Sequence, residues 1–323
     1  MIIRNRILLD LLLLAWISWV LFPLLNSGFI SDAAYNSQMP GILMYSGVNI
    51  WEKILDAAPS AAGNFRPLFF LIEFGLYNVT QNLLLIKSMT LLIVVIDVLL
   101  FLKIITLLTG NRSLGYLSAF LIPIFFQFRF WHDPIIGFTF LLPMMCMLLF
   151  ASIIFLIKYL EQNNNYQLIY FSLIYLMALL TYQISYSFVI LYLPIIFLHS
   201  NRKQGLRIIL ITIALTIGHI VLSGFLYENM KSLAHDYPGS KLDLDIIPAL
   251  HALFIQITAA FPLTWKFADA AFHQKFYEIG IENLIAYATF ATLFCTALFK
   301  FDKNSLNKNI IYKILFFSLC ALL

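Results

Sequence analysis

The stretch from Leu83 to Leu108 (LLLIKSMTLLIVVIDVLLFLKIITLL) carries three charged side chains, Lys87, Asp97 and Lys103. A helix that is apolar on every face must be surrounded by apolar material. A hydrocarbon core about 30 Å thick is crossed by roughly 20 such residues. Similar runs lie near 7–25, 113–128, 135–157, 166–181, 185–199, 207–226 and 283–299, and a shorter one runs from about 310 to Leu323. The short last run predicts a chain that continues past Leu323. The whole sequence is 62% hydrophobic and 11% charged, whereas soluble domains are about 45–50% apolar and about 25% charged. That balance excludes a soluble enzyme, a disordered chain and a nucleic-acid-binding domain, each of which needs more charge. An outer-membrane barrel would show alternating segments of about ten residues, not unbroken runs. The expected fold is therefore all-α: one polytopic transmembrane helix bundle over residues 1–323, with about 9 spans.

Basic residues set the orientation, because cytoplasmic loops are enriched in Lys and Arg. With the N-terminus inside, the inner segments hold Arg4, Arg6, Lys103, Arg112, Lys158, Arg202, Lys203, Arg207, Lys300, Lys303, Lys308 and Lys313. The outer segments hold Asp32, Glu52, Asp56, Glu73, Asp133, Glu228, Asp236, Asp243, Asp245, Asp269, Glu278 and Glu282. A net charge of +4 thus conceals a basic inner face and an acidic outer one. Counting the apolar segment 246–262 as a span would put the four last lysines outside, so it reads as a re-entrant or interfacial helix. The first run follows Arg4 and Arg6 but has no small-residue cleavage site after Leu25, which reads as a retained signal anchor. Cys146, Cys295 and Cys320 lie far apart in apolar runs, with neither metal spacing nor a disulfide framework. The expected location is a bacterial inner membrane, with a cytoplasmic N-terminus and large outer loops at about 26–82 and 227–282.

Long loops inside compact domains are usually functional or disordered. The first outer loop has the composition of an ordered segment and is expected to form short interfacial helices. In Ser31-Asp32-Ala33-Ala34-Tyr35-Asn36, Ser31 suits a helix cap and Pro40 limits the helix. Asp32 then falls in the first turn, with Tyr35 and Asn36 on its face, and the helix dipole keeps its carboxylate ionised. Such a group serves as a general base, as a cation ligand or as a plain cap. The residues alone leave these open. In Asn64-Phe65-Arg66-Pro67, proline extends Arg66 and starts a helix after it. An arginine beside free helix N–H groups suits a phosphate; an interfacial arginine that snorkels to headgroups is the other reading. Phe128-Arg129-Phe130-Trp131-His132-Asp133-Pro134 lies on the same outer side, with Asp133 also suited to capping the fourth span. Tyr182-Gln183 forms a polar outer turn, and His235-Asp236-Tyr237-Pro238-Gly239 reads as a turn. Within the spans, Asp10 is placed to pair with Arg6. Asp97 lies near the middle of the second span, where a charge is costly. Lys87 is about 15 Å along the axis from Asp97 and so is not its partner.

This arrangement resembles the GT-C superfamily of polytopic membrane glycosyltransferases. The resemblance rests on Asp32 just after the first span, on the Arg66-Pro67 step before the second, and on Tyr182-Gln183 at an outer hairpin. The last is similar to bacterial glucosyltransferases that decorate O antigen. It implies an inverting transfer from a polyprenyl-phosphate-linked sugar to a glycan, glycolipid or protein acceptor on the periplasmic face. Asp32 would be the catalytic base. Arg66, with Arg129, would stabilise the departing phosphate. Tyr35, His132, Asp133, Tyr182 and Gln183, with Trp131, would complete the substrate site. Many relatives show two adjacent acids where this chain has Asp32-Ala33. Asp32 then acts alone, or Asp133 supplies the second carboxylate. No residue is assigned as a metal ligand, although the family pattern leaves a divalent metal open. The lipid bilayer is an expected partner and nucleic acid is not. The competing expectations are a secondary transporter or lipid flippase, for which Asp97 is the one deep acid and no inverted repeat is evident, and a structural subunit without catalysis.

Overall fold

A computed structural model of the chain describes residues 2–60, 64–125, 135, 137, 138, 140–197 and 202–229. The described chain is built of helices, as expected. Helix α1 (Ile2–Leu21) continues into a 3-10 turn (Phe22–Asn26), and the first long loop follows. The loop contains α2 (Ser31–Asn36), α3 (Met39–Ser46), α4 (Ile50–Ala57), a two-residue antiparallel bridge of β1 (Pro59–Ser60) with β2 (Asn64–Phe65), and α5 (Pro67–Val79). Then come α6 (Leu83–Thr109), α7 (Arg112–Phe125), α8 (Leu141–Gln162), α9 (Asn165–Leu179), a 3-10 turn (Gln183–Tyr186), α10 (Val189–Phe197) and α11 (Arg202–Asn229).

Among the described residues, four stretches are long and apolar enough to cross a membrane: Leu9–Asn26, Leu83–Thr109, Leu141–Gln162 and Arg202–Leu226. The expected spans at 166–181 and 185–199 form the shorter apolar helices Asn165–Leu179 and Gln183–Phe197. Polar Thr181 and Tyr182 break the run between them, and Pro194 inside α10 removes a helix hydrogen bond. The expected span at 135–157 begins later, at Leu141, with Phe140 as its N-cap in the left-handed region (φ 65°). Asp133 therefore does not cap it. The segments 246–262, 283–299 and 310–323, the second outer loop with its His235 turn, Cys295 and Cys320 lie outside the described residues.

The main core joins α8 to its neighbours. Leu149, Ile153 and Leu156 of α8 are fully buried, as are Phe171 and Tyr175 of α9 and Ile195 of α10. Polar pairs tie these helices where hydrocarbon offers no water. Ser152 Oγ meets the Tyr192 hydroxyl at 2.8 Å, and the Tyr175 hydroxyl meets Thr216 Oγ1 of α11 at 2.8 Å. A second core packs Leu13, Ile17 and Leu21 of α1 against Val94 and Val98 of α6 and Ala119 of α7. At one end of it the Tyr116 hydroxyl hydrogen-bonds Asp10, and the Arg112 guanidinium donates to the Tyr116 oxygen at 3.1 Å. The partner of Asp10 among the described side chains is thus on α7; the Arg6 side chain lies outside them.

Helices α6 and α7 touch at Gly115. A Cβ there would sit 2.9 Å from the Leu102 carbonyl and closer still to Thr106 Oγ1. Backbone cannot yield as a flexible side chain can. Gly115→Ala should therefore cost about 1–3 kcal/mol, read as a lower thermal midpoint of the purified protein in detergent. An unchanged midpoint would refute the close approach.

In the loop, α4 starts with a reciprocal cap. Asn49 Oδ1 accepts from the Trp51 amide at 2.9 Å, and Glu52 Oε2 accepts from the Asn49 amide at 3.3 Å. Met39, Ile54 and Phe74 pack beneath it, while Met44, Tyr45, Trp51 and Leu55 face outward and are well exposed. The loop thus forms short helices, as its composition predicts.

Candidate functional site

The first long loop takes part in two groups of residues far apart in sequence. The first forms around α2. The helix starts at Ser31 with Ile30 as N-cap, so Ser31 lies in the first turn and not at the cap. Asp32 is in that first turn and is exposed. One turn on, Asn36 is buried and donates from Nδ2 to Glu73 Oε2 of α5 at 2.7 Å. The α2 backbone is held as well: the Ala33 amide donates to the Gly137 carbonyl at 3.1 Å, and the Tyr77 hydroxyl reaches the Ala33 carbonyl at 3.4 Å. Tyr35 points elsewhere and is 59% exposed. It is not packed into this group.

Glu73 is fully buried, and its Oε1 has no hydrogen-bond partner among the described residues. Burial, with the charge of Asp32 nearby, pushes its carboxyl well above the ordinary value; the Asn36 bond opposes this only in part. Two acids thus lie together in contrasting settings, Asp32 exposed and Glu73 buried. The sequence leaves Asp32 acting alone or with Asp133, which lies outside the described residues. Among the described residues, Glu73 is the acid within electrostatic reach of Asp32.

The shift in Glu73 has a measurable consequence. The folded state holds a proton that the unfolded chain releases near the ordinary value of 4.5. Stability therefore falls as pH rises from that value through the folded one. Glu73→Gln keeps an oxygen for Asn36 and cannot ionise. Its thermal midpoint should match wild type in acid and exceed it progressively as the pH is raised. A constant difference between the two curves would contradict the assignment.

The second group forms around Arg66. Arg66 is the N-cap of α5, and Pro67 opens that helix, as the Arg-Pro step predicts. The Arg66 amide donates to the Ala58 carbonyl at 2.8 Å, which fastens the residue to the bridge. Its guanidinium stacks 4.3 Å from the centre of the Tyr182 ring, and Nε donates to Gln183 Oε1 at 3.2 Å. The two terminal nitrogens carry no hydrogen bond among the described residues. Burial lowers the Arg66 pKa, while Tyr182 and Asp32 favour its charge. An arginine remains protonated through such a shift. Of the helix N–H groups expected to be free beside it, Pro67 has none and the Leu68 amide is spent on the Leu180 carbonyl at 3.1 Å.

A third element supports the second group. His219 of α11 is 4% exposed and lies between the Phe65 carbonyl (3.2 Å from Nε2) and the Tyr186 hydroxyl (2.6 Å from Nδ1). The sequence offers no sign of it beyond a lone histidine in an apolar run. Of the expected site residues, Asp32, Arg66, Tyr182 and Gln183 are brought to one region, linked by the electrostatic reach of Asp32 to Arg66. Arg129, Trp131, His132 and Asp133 lie outside the described residues. Among the described residues, no three His, Cys, Asp or Glu side chains gather as a metal cluster.

The chain matches no family model, no curated protein and no solved structure.

Proposed function

We propose that the chain is a membrane glycosyltransferase that moves a sugar from a polyprenyl-phosphate donor to an acceptor on the outer face. The observation that carries this reading is the Arg66 guanidinium, held by the Tyr182 ring and Gln183 within electrostatic reach of the exposed Asp32. A positioned cation suits a leaving phosphate, and an exposed carboxylate suits a base. The acceptor oxygen bonds to the anomeric carbon as the bond from that carbon to the phosphate oxygen breaks. The electron pair leaves on the lipid phosphate, whose charge Arg66 stabilises. The acceptor's proton goes to Asp32, and attack opposite the leaving group inverts the configuration. Burial of Glu73 disfavours its charged form, which limits the negative charge gathered near the departing phosphate. Tyr35 stays in the proposal as a surface contact for the acceptor, and Arg129, His132 and Asp133 as further substrate contacts from the adjoining outer turn.

One observation favours a transporter or lipid flippase instead. Asp97 lies within α6 with Oδ1 buried and unpartnered among the described residues. A single isolated acid provides no path, whereas the polar groups described above share one outer region.

The test is the composition of cell-envelope glycans in cells that carry the chain, that lack it, or that carry the Asp32→Asn form at equal abundance. The proposal expects one sugar substituent that is present with wild type and missing in the other two. Normal glycans in the Asp32→Asn cells would overturn the catalytic reading. Glycans restored by Asp32→Asn but lost in Asp97→Asn would favour transport.

A further inference from the structure

The Arg66 cradle has two arms from distant parts of the chain. One is β2 with the start of α5, and the other is the turn after α9. Arg66 comes from the first, and Tyr182 and Gln183 come from the second. For the guanidinium to hold its place, the spacing of the arms must be fixed. Leu68 and Leu180 fix it on one side through their backbones. On the other side no such bond joins the arms among the described residues; His219 stands there.

The chemistry of that ring is constrained by its neighbours. The Phe65 carbonyl can only accept, so Nε2 carries a proton and donates. In the neutral ring Nδ1 is then the acceptor, and the Tyr186 hydroxyl donates to it. Each nitrogen is thus committed to a different arm: Phe65 immediately precedes Arg66, and Tyr186 closes the 3-10 turn that begins at Gln183. The rings reinforce this, with His219 and Phe65 centroids 6.0 Å apart and His219 and Tyr186 centroids 5.7 Å apart. The ring is 4% exposed, so water does not readily replace either bond. The separate helix α11 thereby clasps both arms beside the cation.

We infer that His219 is a positioning residue that clasps the two arms of the Arg66 cradle and sets its preference for a phosphate-bearing lipid over the same lipid uncharged. The inference rests on the reading of Arg66 as the anion contact. Without the clasp the arms part, the guanidinium loses its fixed aim, and binding of the phosphate weakens more than binding of the hydrocarbon.

The experiment uses the full chain in nanodiscs, with polyprenyl phosphate and the uncharged polyprenol of equal length as probes. The quantity read is the ratio of the two affinities. His219→Ala should lower that ratio by about tenfold, the scale of one buried polar bond left unmade. His219→Gln, which offers an amide donor to the Phe65 carbonyl, should recover most of the ratio. Tyr186→Phe, which removes only a hydroxyl, should fall between. Arg66→Ala is measured alongside. If Arg66→Ala collapses the ratio and His219→Ala does not, the positioning role is overturned while the anion reading survives. If Arg66→Ala leaves the ratio intact, the anion reading fails and the role of His219 fails with it. Equal loss of both lipids in His219→Ala, with no recovery in His219→Gln, marks a packing defect and also overturns the inference.

Discussion

Asp32→Asn should lower transfer from a polyprenyl-phosphate-linked sugar by about 10²–10⁴-fold, the usual worth of a positioned general base. The protein should remain folded. Asp32 is exposed, so the change leaves no cavity, and exposed substitutions usually shift stability by no more than about 0.5 kcal/mol. Asparagine keeps the size and polarity of the side chain but cannot accept the acceptor's proton at neutral pH. The loss should therefore fall on turnover, with little change in donor binding. The same substitution removes one cause of the Glu73 shift. It should therefore flatten the fall in stability with rising pH, which serves as an internal check that the two acids are neighbours. A variant with normal turnover would remove Asp32 from the chemistry.

Arg66→Ala should lower turnover by about 10²–10³-fold, as expected when one fixed donor to a developing oxyanion is removed. Unlike Asp32→Asn, it should weaken binding of the lipid phosphate as well. Arg66→Lys is informative because it keeps the charge. An ammonium offers no planar face to the Tyr182 ring and no fork that engages Gln183 and a phosphate together. Arg66→Lys should thus regain only part of the lost activity. Full activity in Arg66→Lys would mean that charge alone suffices and that the stacked geometry is incidental. The check is initial rates for the three proteins at matched folded concentration.

The sequence makes local features legible and tertiary meetings obscure. The Arg66-Pro67 step predicts a helix start because proline fixes its own φ, and α5 begins there, although Arg66 (φ -127°, ψ 50°) is not extended as the step also predicts. Asp32 in a first turn is equally local. The long apolar runs fix where α6, α8 and α11 lie because each is read from consecutive residues. By contrast, Glu73 sits in the apolar run Phe69-Phe70-Leu71-Ile72-Glu73-Phe74, and no spacing shows that it meets Asn36. The contacts of Arg66 with Gln183, 117 residues away, and of His219 with Phe65, 154 residues away, are set by how helices pack. The engagement of the Leu68 amide is hidden for a similar reason. The Leu68 amide is free in any local reading, and only the folded chain brings the Leu180 carbonyl to it. The expected spans 166–181 and 185–199 fold as the shorter helices Asn165–Leu179 and Val189–Phe197, and the helix expected over 135–157 starts at Leu141, because hydropathy locates an apolar run but not the residue at which its helix begins or ends.

The most direct measurement is release of labelled polyprenyl phosphate from a polyprenyl-phosphate hexose by the chain in proteoliposomes supplied with envelope glycans, with wild type beside Asp32→Asn and Arg66→Ala. The account predicts release coupled one for one to sugar on the acceptor in wild type, and loss of both in the two variants. Release at the wild-type rate by either variant, or lipid crossing the bilayer with its sugar still attached, would contradict it.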